Sequence, residues 1–468
     1  MVYLVLTQIS NIRYQTINNN SKYSSQGKNP VFYGDYRINL ILALFFVVHP
    51  LSVQAVAWIP GRNDSLLALF ILLTFYFFLA GSRYFILHLF FLLCALFTKE
   101  TTLVFPVVLG FYHFIYRARM RPAQGVPVWQ YYFGWISCVI IFLLAKHSVV
   151  GSLAFGMSVK DIFCSVIKNC PGALLYVGKV FLPVNLSVLP ILRDSNLVIG
   201  GIVAVIISGI FWVTLAYGSK SGGKLPKPDF AIMVFGLLWF LVFLFPTFVY
   251  PDLKNFLGFL EHRAYLPMVG ILIFLQEVLA TLSLPGKKYK NVFMFLAVVI
   301  ILLFALITIL HSFNFRDRLT FWKKAVSSSP HSSLAHKNLG AMLFIDENLT
   351  AAEKEFRKAL ELNPEETIVH NNLGLILMNA GRFKEAEKEY EEELRCNPAY
   401  DDVYFNFGLL RYKEGRLEEA EMLWKKTVEL NPGYIDAWQC LIQLAAERND
   451  RGKMQRYLIE ARNIGLRL

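Results

Sequence analysis

The chain has 468 residues, of which 55% are apolar, 15% aromatic and 17% charged, against roughly 25% charged in an ordinary soluble domain. That balance excludes a purely soluble protein. The net charge of +12 divides unevenly: residues 1–315 hold 23 Lys and Arg against 9 Asp and Glu, while residues 316–468 hold 23 against 25. The basic excess sits beside the apolar segments, where cytoplasmic membrane flanks place it, and no basic stripe with interleaved aromatics points to nucleic acid.

Met1–Ile9 is apolar but too short to span a bilayer, and it lacks the basic lead of a signal peptide. Residues 14–30 are rich in Asn, Ser and Gln and read as a flexible loop, so 1–36 is expected as a flexible cytoplasmic segment. From 37 to 315 hydropathy predicts nine spans, at 38–58, 65–81, 84–98, 102–116, 130–150, 197–217, 230–250, 264–284 and 292–313. Several fall short of the ~20 residues a bilayer core asks for.

Basic residues set the orientation. Arg13, Lys22, Lys28 and Arg37, then Arg117, Arg119 and Arg121, then Lys220, Lys224 and Lys227, then Lys287, Lys288 and Lys290 all share one face when nine spans alternate. Positive charge makes that face cytoplasmic. The same parity puts residues 316–468 outside the cytoplasm, periplasmic in a bacterium or lumenal in the endoplasmic reticulum of a eukaryote. It also lays 151–196, with Lys160, Lys168 and Lys179 among apolar residues, along the outer surface as an interfacial stretch, or else as an extra pair of short spans that leaves the parity unchanged. The six cysteines form no CxxC pair and no Cys/His cluster, so no metal site is expected. Cys164 and Cys170 fit either a disulfide on an oxidising side or two isolated thiols.

Beyond residue 315 the pattern changes. Pro330, Pro364, Pro398 and Pro432 stand 34 residues apart, as do Gly340, Gly374 and Gly408, then Ala352, Ala386 and Ala420, then Phe356, Tyr390 and Trp424. This is the tetratricopeptide signature: small residues where two helices approach closely, aromatics between layers, proline ending the second helix. Repeats are expected at 333–366, 367–400, 401–434 and 435–468. A half repeat with Phe321, Trp322 and Ala325 precedes them. The fold class is all-α, a polytopic helical membrane domain at 37–315 followed by an α-solenoid at 316–468.

Stacked repeats leave a groove lined by their first helices, whose natural ligand is a peptide or protein segment. Asn338, Asn372 and Asn406 recur at the same period. An amide offers both a donor and an acceptor, so this ladder either clamps a peptide backbone or supports packing between repeats.

In the apolar half Asp64, Glu100, Asp161, Asp194, Asp252 and Glu261 fall on the outer side, and Glu277 alone falls inside a span. Three outer clusters mix charges: His49-Pro50 with Gly61-Arg62-Asn63-Asp64, Thr98-Lys99-Glu100, and Glu261-His262-Arg263-Ala264-Tyr265. Arg and Lys hold phosphate oxygens by charge-assisted hydrogen bonds, and a carboxylate can deprotonate an attacking hydroxyl. The alternative is anchoring at the membrane edge, with Lys99 and Glu100 paired to each other.

In order and surroundings these clusters resemble the membrane half of the transmembrane and tetratricopeptide-repeat O-mannosyltransferase family and its bacterial relatives. The matching pieces are HPLSVQAVAWIPGRND at 49–64, TKE at 98–100, LPVNLS at 182–187, EHRAYLP at 261–267 and the appended repeats. The resemblance runs from about residue 37 onward. It implies a GT-C-like glycosyltransferase that moves a sugar, such as mannose, from a polyprenyl-phosphate donor to a hydroxyl of an extracytoplasmic protein or glycan. It also implies Asp64, Glu100 and Glu261 as catalytic residues, and His49, Arg62, Lys99 and Arg263 as holders of the lipid phosphate, with the repeats recruiting the acceptor. Two departures stand out: Gln54 occupies a position where many relatives have Glu, and the acidic motif expected in the family's first outer loop is not found in this sequence, which leaves open a longer chain upstream or an inactive remnant whose repeats do the work. The competing reading is a membrane-anchored scaffold that recruits proteins through its repeats and does no chemistry.

Overall fold

The computed structural model describes residues 1–20, 36–116, 127–150, 158–220, 229–249, 259–281 and 287–466. Among them every regular element is a helix, and they divide into two compact units, Met1–Asp317 and Arg318–Leu468. Lys22, Lys28, Asp35, Arg117, Arg119, Arg121, Lys224, Lys227 and Asp252 lie outside the described residues.

The apolar unit opens on helix α1 (Val2–Asn20), where the sequence leads one to expect a flexible segment. Its run is too short to span, but Val2, Val5, Leu6 and Ile9 follow helical spacing and all four are buried. A stripe of that spacing gives a helix one apolar face. Gln276 fixes it further, donating to Leu6 O at 2.7 Å and to Asn39 Oδ1 at 2.8 Å. Packing, rather than spanning, orders this segment.

Next come α2 (Tyr36–Val48) and α3 (Val53–Ala57), bent by 49° across the short turn Pro50–Ser52. Pro50 has no N–H to continue the helix, and His49 caps the turn by accepting from Leu51 N at 3.2 Å. There follow α4 (Arg62–Ala80), α5 (Phe85–Thr98), α6 (Phe105–Tyr116), α7 (Val128–Val150), α8 (Val159–Asn169), α9 (Gly172–Phe181), α10 (Leu197–Lys220), α11 (Phe230–Leu244), α12 (Tyr265–Thr281) and α13 (Lys287–Ser312). Six stretches, at 62–80, 129–149, 197–216, 230–247, 261–281 and 291–315, are long and apolar enough to cross a membrane, and the bent α2–α3 pair makes up to a seventh. Helices α5 and α6, expected as the third and fourth spans, have only 14 and 12 residues. At ~1.5 Å per residue they fall short of a ~30 Å core.

Two close approaches position the rest. A Cβ on Gly236 would lie 2.5 Å from Gly270 O, and one on Gly270 2.3 Å from Gly236 O, so α11 and α12 meet backbone to backbone, which only glycine permits. Helix α9 packs on α10 through Gly178 and Gly200 in the same way. Lys179 of α9, expected at an interfacial surface, is only 6% exposed. Glu277, the acid expected inside a span, accepts from Asp229 N at 2.6 Å and so neutralises the N-terminus of α11, where a helix dipole favours negative charge. Cys164 and Cys170 are both free thiols.

The repeat unit starts with α14 (Arg318–Ser328) and continues as four helix pairs: α15 (Ser333–Ile345) with α16 (Leu349–Leu362), α17 (Val369–Asn379) with α18 (Phe383–Cys396), α19 (Asp401–Lys413) with α20 (Leu417–Leu430), and α21 (Ile435–Glu447) with α22 (Arg451–Asn463). Each periodic glycine sits against the periodic aromatic. A Cβ on Gly340 would approach Phe356 to 2.8 Å, on Gly374 Tyr390 to 2.7 Å, and on Gly408 Trp424 to 2.5 Å. A second periodic device is also present: His336, His370, Tyr404 and Trp438 each bond the carbonyl of the proline six residues earlier, at 3.0, 3.1, 3.0 and 2.9 Å. Each first helix is thereby tied to the turn before it.

Candidate functional site

In the apolar unit the chain brings the motif residues together at the ends of α3, α4, α5, α9, α12 and α13. Two carboxylates organise the cluster. Glu261 is shut inside: its Oε1 accepts from Lys179 Nζ at 2.7 Å and from Ser187 N at 2.9 Å, with the lysine and glutamate side chains 8% and 1% exposed. Its Oε2 lies 3.4 Å from His311 Nε2. One carboxylate thus ties together α9, the LPVNLS stretch and α13. Burying such a charge is costly unless it is paired and hydrogen-bonded, as it is here.

Asp64 is the more open of the two. Its Oδ1 accepts from Lys99 Nζ at 2.6 Å, the lysine side chain being 35% exposed, and its Oδ2 lies 3.6 Å from His262 Nε2. His262 rests beside Trp58, and the neighbouring Gln54 accepts from His262 N at 3.2 Å while donating to Val188 O at 3.0 Å. Arg62 is exposed and makes no ion pair among the described residues. Lys99, tethered to Asp64 yet 35% exposed, can meet an anion, and the Asp64 carboxylate can accept a proton beside it.

Not every expected residue joins in. His49 is fully buried between Phe45 and Phe304. Because Leu51 N donates to its Nδ1, the Nε2 carries the proton and donates to Val180 O at 2.9 Å. No ring nitrogen is left for a phosphate. Glu100 does not pair with Lys99 but turns to Lys146 at 2.7 Å, 58% exposed. Arg263 is half-buried. Lys179 and His311 enter the cluster without any local sequence signal. Among the described residues no group of three or more His, Cys, Asp or Glu could hold a metal.

In the repeat unit the three asparagines differ. Asn338 spends its Nδ2 on Leu334 O of its own helix at 2.8 Å. The other two are linked through Asn371, which the period does not reveal: Asn406 Nδ2 donates to Asn371 Oδ1 at 3.0 Å, and Asn371 Nδ2 donates to Asn372 Oδ1 at 3.4 Å. The chain of amides joins the first helices of adjacent repeats. It leaves Asn372 Nδ2 and Asn406 Oδ1 without a partner among the described residues, one donor and one acceptor.

Asn371 is itself held by Glu393. This fully buried glutamate accepts from Asn371 N at 3.2 Å and from Ile368 N at 2.8 Å. It stands where the first and fourth repeats have Ala359 and Ala461. Ile368 adopts φ 74°, a conformation a β-branched side chain resists, so Glu393 fixes a strained turn at the head of α17.

Charges elsewhere in the unit are mostly satisfied. Burial raises the cost of charging His370, but its bond from Nδ1 to Glu389 Oε2 at 2.7 Å and its contact with Pro364 O outweigh that and raise its pKa above 6.5. Glu421 is likewise penalised by burial yet held down to about 2 by Lys425, Lys453 and Tyr457. It lines a cavity of about 170 Å³ with Leu441, Leu444 and Arg448.

Residues 346–401 and 371–435 match the tetratricopeptide repeat family. Solved structures similar to the chain include MamA from Desulfovibrio magneticus RS-1, at 21% identity over 31% of this chain and 82% of that one, TM-score 0.29. YrrB, described as a repeat protein with an unusual peptide-binding site, is 26% identical over 31% and 76%, TM-score 0.27. The first repeat domain of Spaghetti bound to an HSP90 peptide is 21% identical over 25% and 93%, TM-score 0.24. No match to a curated protein was found. With the periodic glycine–aromatic contacts and the family match in agreement, residues 346–435 are tetratricopeptide repeats.

Proposed function

We propose that the chain is a membrane protein whose repeats hold an extended segment of another protein, with the helical apolar unit as its anchor. Membrane insertion is supported by the six to seven helices of spanning length and apolarity. The observation that carries the binding reading is the amide chain from Asn406 through Asn371 to Asn372, which leaves a free donor and a free acceptor on adjacent first helices. A peptide backbone supplies the complementary carbonyl and N–H. The test is binding of the full-length protein, in detergent, to an array of extended peptides: selected peptides bind, and changing Asn372 and Asn406 together to Ala weakens binding roughly tenfold. Unchanged affinity would leave the asparagines with a packing role only.

A second reading keeps the sugar-transfer chemistry that the motif resemblance implies, with a polyprenyl-phosphate donor. Its support is the convergence of Asp64, Lys99 and His262. On this reading Asp64 accepts the proton of the attacking hydroxyl, while Lys99 and Arg62 hold the phosphate. Glu261, locked by Lys179 and Ser187, positions the loop instead of reacting. Transfer of mannose from a polyprenyl-phosphate donor to a bound peptide, abolished by Asp64→Asn and retained in Glu100→Gln, would support it. No transfer by the wild-type chain leaves the scaffold reading standing alone.

A further inference from the structure

Helix α8 is built inside out. Its polar residues Ser165 and Asn169 are buried and both bond Phe248 O, at 3.0 and 3.2 Å, while Val159, Phe163 and Ile167 are 84%, 66% and 55% exposed. The spacing of those three by four residues puts them along one stripe. Lys160 and Lys168, both exposed, border the stripe on one side. A capping box between Ser158 and Asp161 starts the helix, so its boundary is specified in the sequence.

A soluble surface would place these residues the other way round. The anchor point makes sense of the inversion: Phe248 follows directly on the 230–247 stretch, one of the helices of spanning length, so α8 is fastened at the level where that helix ends. With 11 residues it is too short to cross. An apolar stripe with a lysine border at the end of a spanning helix matches the boundary between acyl chains and anionic headgroups.

We infer that α8 is an interfacial foot, its Val159–Phe163–Ile167 stripe sunk into the acyl boundary of a bilayer and its Lys160 and Lys168 set against anionic lipid phosphates. This inference rests on the membrane reading above. The partner is the lipid surface itself, recognised by depth and charge.

The test uses the full chain, freed of its native cysteines, in phosphatidylcholine–phosphatidylglycerol vesicles. Single cysteines replace Phe163, Ile167 or Lys168, with Val299→Cys on the long helix α13 as a reference, and each carries a bimane label. Nitroxide placed near the headgroups on the acyl chains should quench the labels at 163 and 167, and aqueous iodide should reach them roughly threefold less than the label at 168. Labels at both 163 and 167 open to iodide, or at both dark to either quencher while 299 is quenched by lipid, would overturn the foot and leave the membrane reading intact. Iodide reaching 299 as well would overturn both.

Discussion

The two units treat charge in opposite ways. In the apolar unit the pair that shapes the fold, Lys179 with Glu261, is buried and joins positions 82 residues apart. In the repeat unit ion pairs abound, but many lie within one helix, such as Lys358 with Glu361 and Lys426 with Glu429, and their side chains stay largely exposed. Arg411, 5% exposed and shared among Glu387, Glu414 and Glu419, and Glu366, 4% exposed beside Lys337, are exceptions there. Water screens an exposed pair until it contributes little, whereas a buried charge survives only where a partner is built for it. A charge in the first unit therefore marks a position the fold depends on, and a charge in the second usually does not.

That contrast can be broken by substitution. Lys179→Met leaves Glu261 buried without its cation and should destabilise the apolar unit by about 3–5 kcal/mol, read as a lower melting temperature of the full chain in detergent. Adding Glu261→Gln should recover part of the loss, since the stranded charge is gone. Lys358→Ala, in the exposed pair, should leave melting unchanged. Equal losses from the buried and exposed lysines would erase the distinction.

The glycines sharpen it. Gly270 faces a backbone carbonyl of α11, while Gly374 faces the edge of the Tyr390 ring. A main-chain atom yields only if the helix moves, so Gly270→Ala should cost more than Gly374→Ala, each within about 1–3 kcal/mol. The reverse order would mean that the repeat core is the more rigid of the two.

The smallest effect is a pH dependence confined to the early repeats. Both ring nitrogens of His370 face acceptors, Glu389 and the Pro364 carbonyl, and Glu392 and Glu393 add further negative charge. Its pKa is raised on folding, so its contribution is complete below about 6.5 and fades as pH climbs through the higher folded value. Trp438 makes the same proline contact in the fourth repeat without a titrating group. Amide protection, corrected for intrinsic exchange, should thus decline with rising pH in α17–α18 more than in α21–α22. His370→Gln should level the two.

The repeat register was legible because each repeat's contacts are local. Gly374 and Tyr390 are 16 residues apart, and the next pair copies them, so a period in the sequence is a period in space. The apolar cluster is different. Asp64, Lys99 and Glu261 could be named from mixed charges in an apolar setting, and they do converge. Lys179 reads as one more interfacial lysine, because its partner Glu261 lies 82 residues along the chain. Adjacency suggests a pair between Lys99 and Glu100, yet Lys99 turns to Asp64 and Glu100 to Lys146. Helix α1 is too short for a bilayer, and only the stripe Val2, Val5, Leu6 and Ile9 marks it in the sequence. Asn371 breaks the 34-residue period, and so does Glu393 beneath it.

The repeat amides face either a ligand or only one another, and Asn372→Asp separates these roles. The aspartate keeps an oxygen for Asn371 but loses the free Nδ2 donor. Peptide affinity of the full-length variant, measured beside its melting temperature, should fall roughly tenfold with melting unchanged. Affinity and melting both equal to wild type would contradict peptide recognition by the ladder.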